Sequence, residues 1–353
     1  MALSDSVNLI CQTLADYTYY HEPGFIRQHG VAGIQPYHVL RWLEQFDSAK
    51  REDFAQAFAN VISKSYISKD KVQQAANLLL ASNLVSNNDA NFFQNVSFLD
   101  IQQNGQSQTE FLHNFIIPEA QSLSIPCAIN DLTKTRFLYF DDVLFSGGRA
   151  KVDLEKWINT MAPQSCEIIC VFIFTYSYGE YNISKWLKKA ISNAGKNINF
   201  RLCRMKTLNN NRTFKEEVTD VFHPREVPVE ASTYYDEMAA SARYQILREY
   251  QQSAPSLFFS NETERYLLEE QFVIAGMCIR NQLNKKGNWK PLGSEGFPSF
   301  GFGSTIVTYR NCPNISPLAL WWGEQDSPSI WYPLVPRKGY SDSINAFLDA
   351  LPF

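Results

Sequence analysis

Two uninterrupted apolar runs, "RFLYF" (136–140) and "CEIICVFIF" (166–174), constrain this chain more than any other feature. Neither alternates apolar with polar residues, so neither suits a sheet with one wet face. Each reads as a strand covered on both sides, the kind that parallel sheets contain. A segment of helical period follows each run: "VDLEKWINTMA" (152–162) after the first and "SKWLKKAISNA" (184–194) after the second. "NVSFLDI" (95–101) and "NINFRLCRM" (197–205) supply two further strands. "SQTEFLHNFIIPEAQ" (107–121) supplies another helix, with Ser107 as its cap and Glu110 three residues on, a capping box. Strand and helix alternate through the middle of the chain, which predicts an α/β unit with a mostly parallel sheet.

The flanks have other periods. In the front, "QPYHVLRWLEQFD", "REDFAQAFANVISKSY" and "SKDKVQQAANLLLASNLV" each put apolar residues on one helical face, and "SNNDANFFQN" (86–95) is a polar boundary. Beyond about 225 the alternation stops. "YYDEMAASARYQILREYQQ" and "NETERYLLEEQFVIAGMCIRNQL" read as helices, the second started by Asn261 and Glu264. A Gly/Pro-punctuated stretch follows; "GFPSFGFGS" lacks the lysine of a nucleotide-triphosphate loop and reads as a turn-rich hairpin. The expected organisation is a helical or winged-helix module over 1–92, an α/β core over 93–228 and an α+β extension over 229–353.

Bulk properties exclude several classes. A chain of 353 residues, 45% hydrophobic and 19% charged, is an ordinary globular protein with room for two or three domains. Its formal charge of −4 gives no global attraction to nucleic acid or acidic membranes. The seven cysteines are scattered and form no CxxC pair, so neither a disulfide framework nor a zinc site is indicated. No basic region followed by an apolar core opens the chain and no run has membrane-spanning length; the expectation is a reduced cytoplasm and no membrane.

The chemistry is concentrated in "RFLYFDDVLFSGGRAK" (136–151). In open α/β sheets, ligands sit at the carboxyl ends of strands. A glycine-containing turn into a helix offers backbone N–H groups to a phosphate, and Ser146 adds a hydroxyl. Paired carboxylates just ahead, Asp141 and Asp142, suit vicinal hydroxyls or a magnesium ion near them. Acid pair plus phosphate loop describes a ribose-5-phosphate site.

These residues resemble the phosphoribosyl-diphosphate (PRPP) motif of type I phosphoribosyltransferases. The resemblance implies that Asp141 and Asp142 meet ribose hydroxyls and magnesium, and that Ser146, Gly147, Gly148 and Arg149 hold the 5′-phosphate. It implies a pyrophosphate loop upstream, for which Gly105, Gln106 and Ser107 are the candidates. Together with "VLRWLEQF", "RNCPNISPLALWW" and "WYPLVPR", the motif is similar to phosphoribosyltransferase-like proteins of bacterial conflict and antiphage systems, some encoded beside a retron reverse transcriptase. That likeness implies PRPP or a nucleotide as ligand, magnesium as cofactor, and a reverse transcriptase with its msDNA as partners, in an oligomeric state left open. Two positions depart from the family pattern: Phe145 stands where base-salvage enzymes carry an acid, and Arg149 where they carry threonine. The departures keep an inactive nucleotide sensor or scaffold as the alternative to an effector enzyme.

Residues 185–215 hold six lysines and three arginines and no acid. Lys185, Lys188, Lys189, Arg201 and Arg204 are candidates for nucleic-acid or partner contact, with a solvated face as the bland reading. Tyr176, Tyr178 and Tyr181 follow a strand and suit base stacking or edge packing equally. The five histidines are dispersed, and His113 reads as structural.

Overall fold

The computed structural model describes residues 2–102, 107–210, 219–248, 256–283, 287–325 and 331–337. In chain order the helices are α1 (Leu3–Thr13), α2 (Pro23–His29), α3 (Pro36–Leu43), α4 (Arg51–Ser65), α5 (Lys69–Ala81), α6 (Asn83–Ser86), α7 (Ser107–Phe111), α8 (Ile117–Ser122), α9 (Gly148–Thr160), α10 (Ser177–Asn193), α11 (Ser232–Ala239), α12 (Glu262–Asn281) and α13 (Leu318–Trp321). The strands are β1 (Tyr66–Ile67), β2 (Val96–Phe98), β3 (Arg136–Leu144), β4 (Ser165–Tyr176), β5 (Asn197–Leu208) and β6 (Val307–Thr308). The fold is mixed α/β with parallel sheets and a helical N-terminal region, as the sequence predicts.

The chain divides into two compact units, one of residues 1–69 with 211–353 and one of 70–210. This groups the three sequence segments differently: the front helices α1–α4 share a unit with the tail, while α5 and α6 go with the sheet. In the first unit, Trp42 packs against Phe46, Phe54, Phe58 and Phe272. Burying an aromatic cluster of this kind contributes most of what a small helical unit can gain from water exclusion. Arg265, 1% exposed, donates to Glu269 at 2.8 Å and to the Val221 carbonyl at 2.8 Å, and Arg248 reaches the other Glu269 oxygen at 2.9 Å. These buried charges are tolerable because each is paired and hydrogen-bonded. The Asn261 side chain caps α12 through the Glu264 N–H, as expected.

Three expectations for this unit are corrected. The helix predicted from 234 stops at Ala239, after which the described chain turns. "GFPSFGFGS" is a buried coil rather than a hairpin: the Leu292 N–H bonds the Phe300 carbonyl and the Phe222 N–H bonds that of Gly303. The front's strand β1 pairs in parallel with β6, so the described front carries no antiparallel wing.

The second unit is built on the parallel order β2-β3-β4-β5. Phe137, Tyr139, Ile168, Cys170 and Phe172 face one way and form a core with Leu154, Trp157 and Ile158 of α9 and Ile183 and Leu187 of α10. Leu138, Phe140, Ile169, Val171 and Ile173 alternate with them and are buried too, which is why neither run carries a polar period. The β2–β3 connection packs against β3. It is one helical run interrupted by a π-turn at Leu112–Ile116. Pro118, with no N–H and a ring that crowds the preceding turn, accounts for the widened register.

Candidate phosphoribosyl site

The connections of the second unit diverge at one place. The Phe98 N–H donates to the Ala128 carbonyl and the Asn130 N–H to that of Phe98, so 128–130 lies along the outer edge of β2. The Leu99 N–H donates to Leu138, on the opposite side. The chain thus leaves β2 outward and leaves β3 toward β4. Such a reversal opens a crevice at the carboxyl ends of the two strands. Asp100–Gln102 and Asp141–Gly148 are the segments that border it.

The acid pair lies inside β3 rather than beyond its end, since pairing continues from Asp141↔Phe172 to Leu144↔Thr175. Asp141 is buried, on the same face as Tyr139, and Asp142 is partly exposed. The Asp142 N–H donates to Asp141 Oδ1 at 3.0 Å and the Val143 N–H to Asp142 Oδ1 at 2.7 Å. These bonds orient both carboxylates toward the strand end.

Gly147, with φ +80°, then turns the chain into α9, starting the helix at Gly148, four residues earlier than the sequence predicts. A side chain at Gly147 would be strained in this left-handed conformation, and its Cβ would lie 3.2 Å from the Gly179 carbonyl. The turn rests on α10: a Cβ on Gly179 would sit 2.0 Å from the Phe145 carbonyl oxygen, and Asn182 donates to the Ser146 carbonyl at 3.4 Å. Phe145 stacks on buried Tyr176 at 5.8 Å, which gives the aromatic at this loop position a packing role. Among the described residues no side chain caps α9 in regular geometry; Ser146 Oγ lies 3.5 Å from the Gly148 N–H. The first turn of α9 therefore presents N–H groups and a positive helix end directly after two carboxylates.

Asp153 is a third carboxylate that the sequence reading missed. It lies on the inner stripe of α9 with Ala150, Leu154 and Trp157, where a charged residue among apolar ones was the available signal. Burial pushes its pKa up, while Arg149 nearby and a hydrogen bond from Gln102 draw it down. Tyr139 is buried beside these acids: burial first, then Asp141 and Asp153, hold its hydroxyl well above the usual tyrosine range.

The pyrophosphate-loop candidates fare unevenly. Gly105 and Gln106 lie outside the described residues. Ser107 is the first residue of α7, and its hydroxyl pairs with the Gln102 amide rather than serving as a cap; Gln102 Oε1 accepts the Gln108 N–H at 3.0 Å. Gln108, fully buried, ties the turn from its other side, accepting from Ile101 and donating to the Leu99 carbonyl. Neither glutamine stood out in sequence, because their role depends on the turn they close. His113 pairs with Asp100 at 2.8 Å.

The basic candidates separate into two groups. Lys185, Lys188 and Lys189 are exposed on α10. Arg201 instead donates to the Leu84 and Val85 carbonyls at the end of α6 and faces Glu167, and Arg204 pairs with Glu180 at 3.1 Å. Tyr176 is buried at the end of β4, while Tyr178 and Tyr181 ride on α10.

Comparison with known proteins agrees with this architecture. No curated protein matches the chain. No described helix is long and apolar enough to cross a membrane. The family model PRTase-CE matches residues 39–337, which takes in the α/β core and most of both flanks. The chain belongs to the PRTase-CE family and is phosphoribosyltransferase-like.

Proposed function

We propose that the crevice at the ends of β2 and β3 binds a ribose-5-phosphate ligand, PRPP or a nucleotide, and that the protein acts at its anomeric carbon by transfer or cleavage. The observation that carries this reading is the uncapped N-terminus of α9, reached through Gly147 and preceded by Asp141 and Asp142. Backbone N–H groups of the first turn and Ser146 would hold the phosphate, with Arg149 adding a charge-assisted contact. Asp141 and Asp142 would accept the ribose hydroxyls and fix the sugar.

Among the described residues no group of three or more His, Cys, Asp or Glu is placed to hold a metal alone. The two aspartates fit a magnesium ion held jointly with the ligand's phosphates, the usual manner for this ion. Bound there, magnesium supplies neutralisation of a departing diphosphate. The protein's own task is to hold the sugar while an oxocarbenium-like state forms.

Phe145 favours a second reading. Its stacking on Tyr176 leaves the loop without an acidic group, which suits a sensor that binds and does not turn over. On either reading we place the protein in a prokaryotic antiphage system, partnered by a reverse transcriptase and its msDNA; the support is the likeness of the front and tail motifs. Nucleic-acid contact, if it is made, falls to Lys185, Lys188 and Lys189, since Arg201 and Arg204 are engaged internally.

Calorimetric titration of the purified protein with PRPP and magnesium tests the site. Saturable binding is expected, and its loss in Asp141→Ala/Asp142→Ala with folding intact. Absence of binding by the folded wild type sinks the ligand reading.

A further inference from the structure

Beside α9 lies a cleft that the phosphoribosyl reading does not use. It encloses about 200 Å³ between the end of β2 and the inner face of α9, with Asp100, Ile101, Asn130, Asp153, Trp157 and Met161 in its lining. Most of its polar groups are already committed. Asp100 spends its two oxygens on Thr109 at 2.7 Å and His113 at 2.8 Å. The Asn130 amide is bound to the Asp100 backbone through both its oxygen and its nitrogen.

Two groups are not committed. Asp153 is 5% exposed and Trp157 2%, yet neither Asp153 Oδ2 nor Trp157 Nε1 has a hydrogen-bond partner. One is an acceptor and the other a donor. They stand four residues apart on one helix, a spacing that puts side chains side by side. A buried polar group without a partner is costly, and two on adjacent turns facing one cleft are seldom left so. A single water could bridge them, but at ~30 Å³ per water the cleft holds roughly six, so one bridging water leaves it mostly empty. The remaining walls are apolar: the Trp157 indole, Ile101 and Met161.

We propose that this cleft is a binding pocket for a planar molecule carrying an N–H donor beside a carbonyl acceptor, the lactam edge of an oxo-pyrimidine or oxo-purine ring. Asp153 Oδ2 accepts the N–H, Trp157 Nε1 donates to the carbonyl, and the ring lies against the apolar walls. The pocket is independent of phosphate and of the acid pair in β3. Its occupant would bear on the loop, because Asp153 also takes the Gln102 hydrogen bond and feels the Arg149 charge.

The test uses the full chain and uracil as probe, with 1,3-dimethyluracil as the same ring stripped of N–H. Ligand-observed NMR and calorimetry should give saturable uracil binding, with dimethyluracil about tenfold weaker. Trp157→Phe keeps the aromatic wall and removes the donor, and should weaken uracil about five- to tenfold. Asp153→Asn should weaken it to a similar extent. Both variants should leave PRPP binding unchanged, which separates this pocket from the phosphoribosyl site. If uracil fails to bind the folded wild type, the cleft holds solvent only and the proposal is overturned. Equal binding of uracil and dimethyluracil, or indifference to both substitutions, overturns it as well.

Discussion

Two strand-to-helix turns lie side by side in this sheet and end differently. At the end of β4 the chain enters α10 directly, and that helix start is closed. Asn210 Oδ1 accepts the Tyr178 N–H at 3.0 Å and the Ser177 hydroxyl at 3.1 Å, while Glu180 accepts from Thr207 at 2.7 Å and pairs with Arg204. At the end of β3 a short loop intervenes, Gly147 takes a left-handed conformation, and the start of α9 lacks a regular side-chain cap among the described residues. Both helices begin at the carboxyl edge of the same sheet with the same macrodipole. The difference is that one end is satisfied by the protein's own side chains and the other is left for a ligand. An acid pair precedes the open end only.

The comparison breaks most severely at Gly179, where the closed turn supports the open one. An alanine methyl would lie 2.0 Å from the Phe145 carbonyl oxygen, backbone against backbone, with no flexible side chain to yield. Gly179→Ala should cost about 1–3 kcal/mol of stability, as overpacking does. It should also displace the loop enough to weaken PRPP at least tenfold. Calorimetry on the folded variant reads both; a wild-type affinity would mean that the loop is not held by α10.

Asn210→Ala sharpens the comparison from the other side. It opens the start of α10 and should cost about 1 kcal/mol in thermal unfolding, the usual loss of an N-terminal cap. PRPP affinity should not change, because α10 has no acid pair ahead of it. A gain or loss of affinity would show that the two turns act as one site.

The strands were legible because burial on both faces leaves a one-dimensional mark, an apolar run without alternation. The acid pair and glycine turn were legible because residue types with few other uses are adjacent there. What was not legible depends on contacts between distant segments. The outward strand at 128–130 is too short to carry a pattern, yet it makes the crevice. Gln102, Gln108 and Asn210 are ordinary polar residues whose function exists only once a helix end stands beside them. Gly179 reads as a break in "SYGEY" until Phe145 is laid across it. In the tail, Gly/Pro punctuation suggested a hairpin, and burial of the coil against Leu292 and Phe222 decided otherwise.

The smallest expected effect concerns the charge that links the open turn to its helix. Arg149 lies close enough to Asp153 to lower its pKa, against the larger upward push of burial. With the net folded-state pKa above the unfolded value, the folded chain keeps a proton that the unfolded chain has released. The resulting stability is fully present below the unfolded pKa and is lost as pH rises through the folded one. Arg149→Ala removes the opposing cation, so the folded pKa moves higher and the loss extends to higher pH. Arg149 is exposed, and the difference should be a few tenths of a kcal/mol, typical of a solvent-screened pair. Unfolding midpoints measured from about pH 3 to 7 should therefore decline more for Arg149→Ala than for the wild type. In an Asp153→Asn background the same arginine substitution should change nothing. Parallel curves in both backgrounds would mean that Arg149 serves the phosphate alone and leaves the helix beneath it untouched.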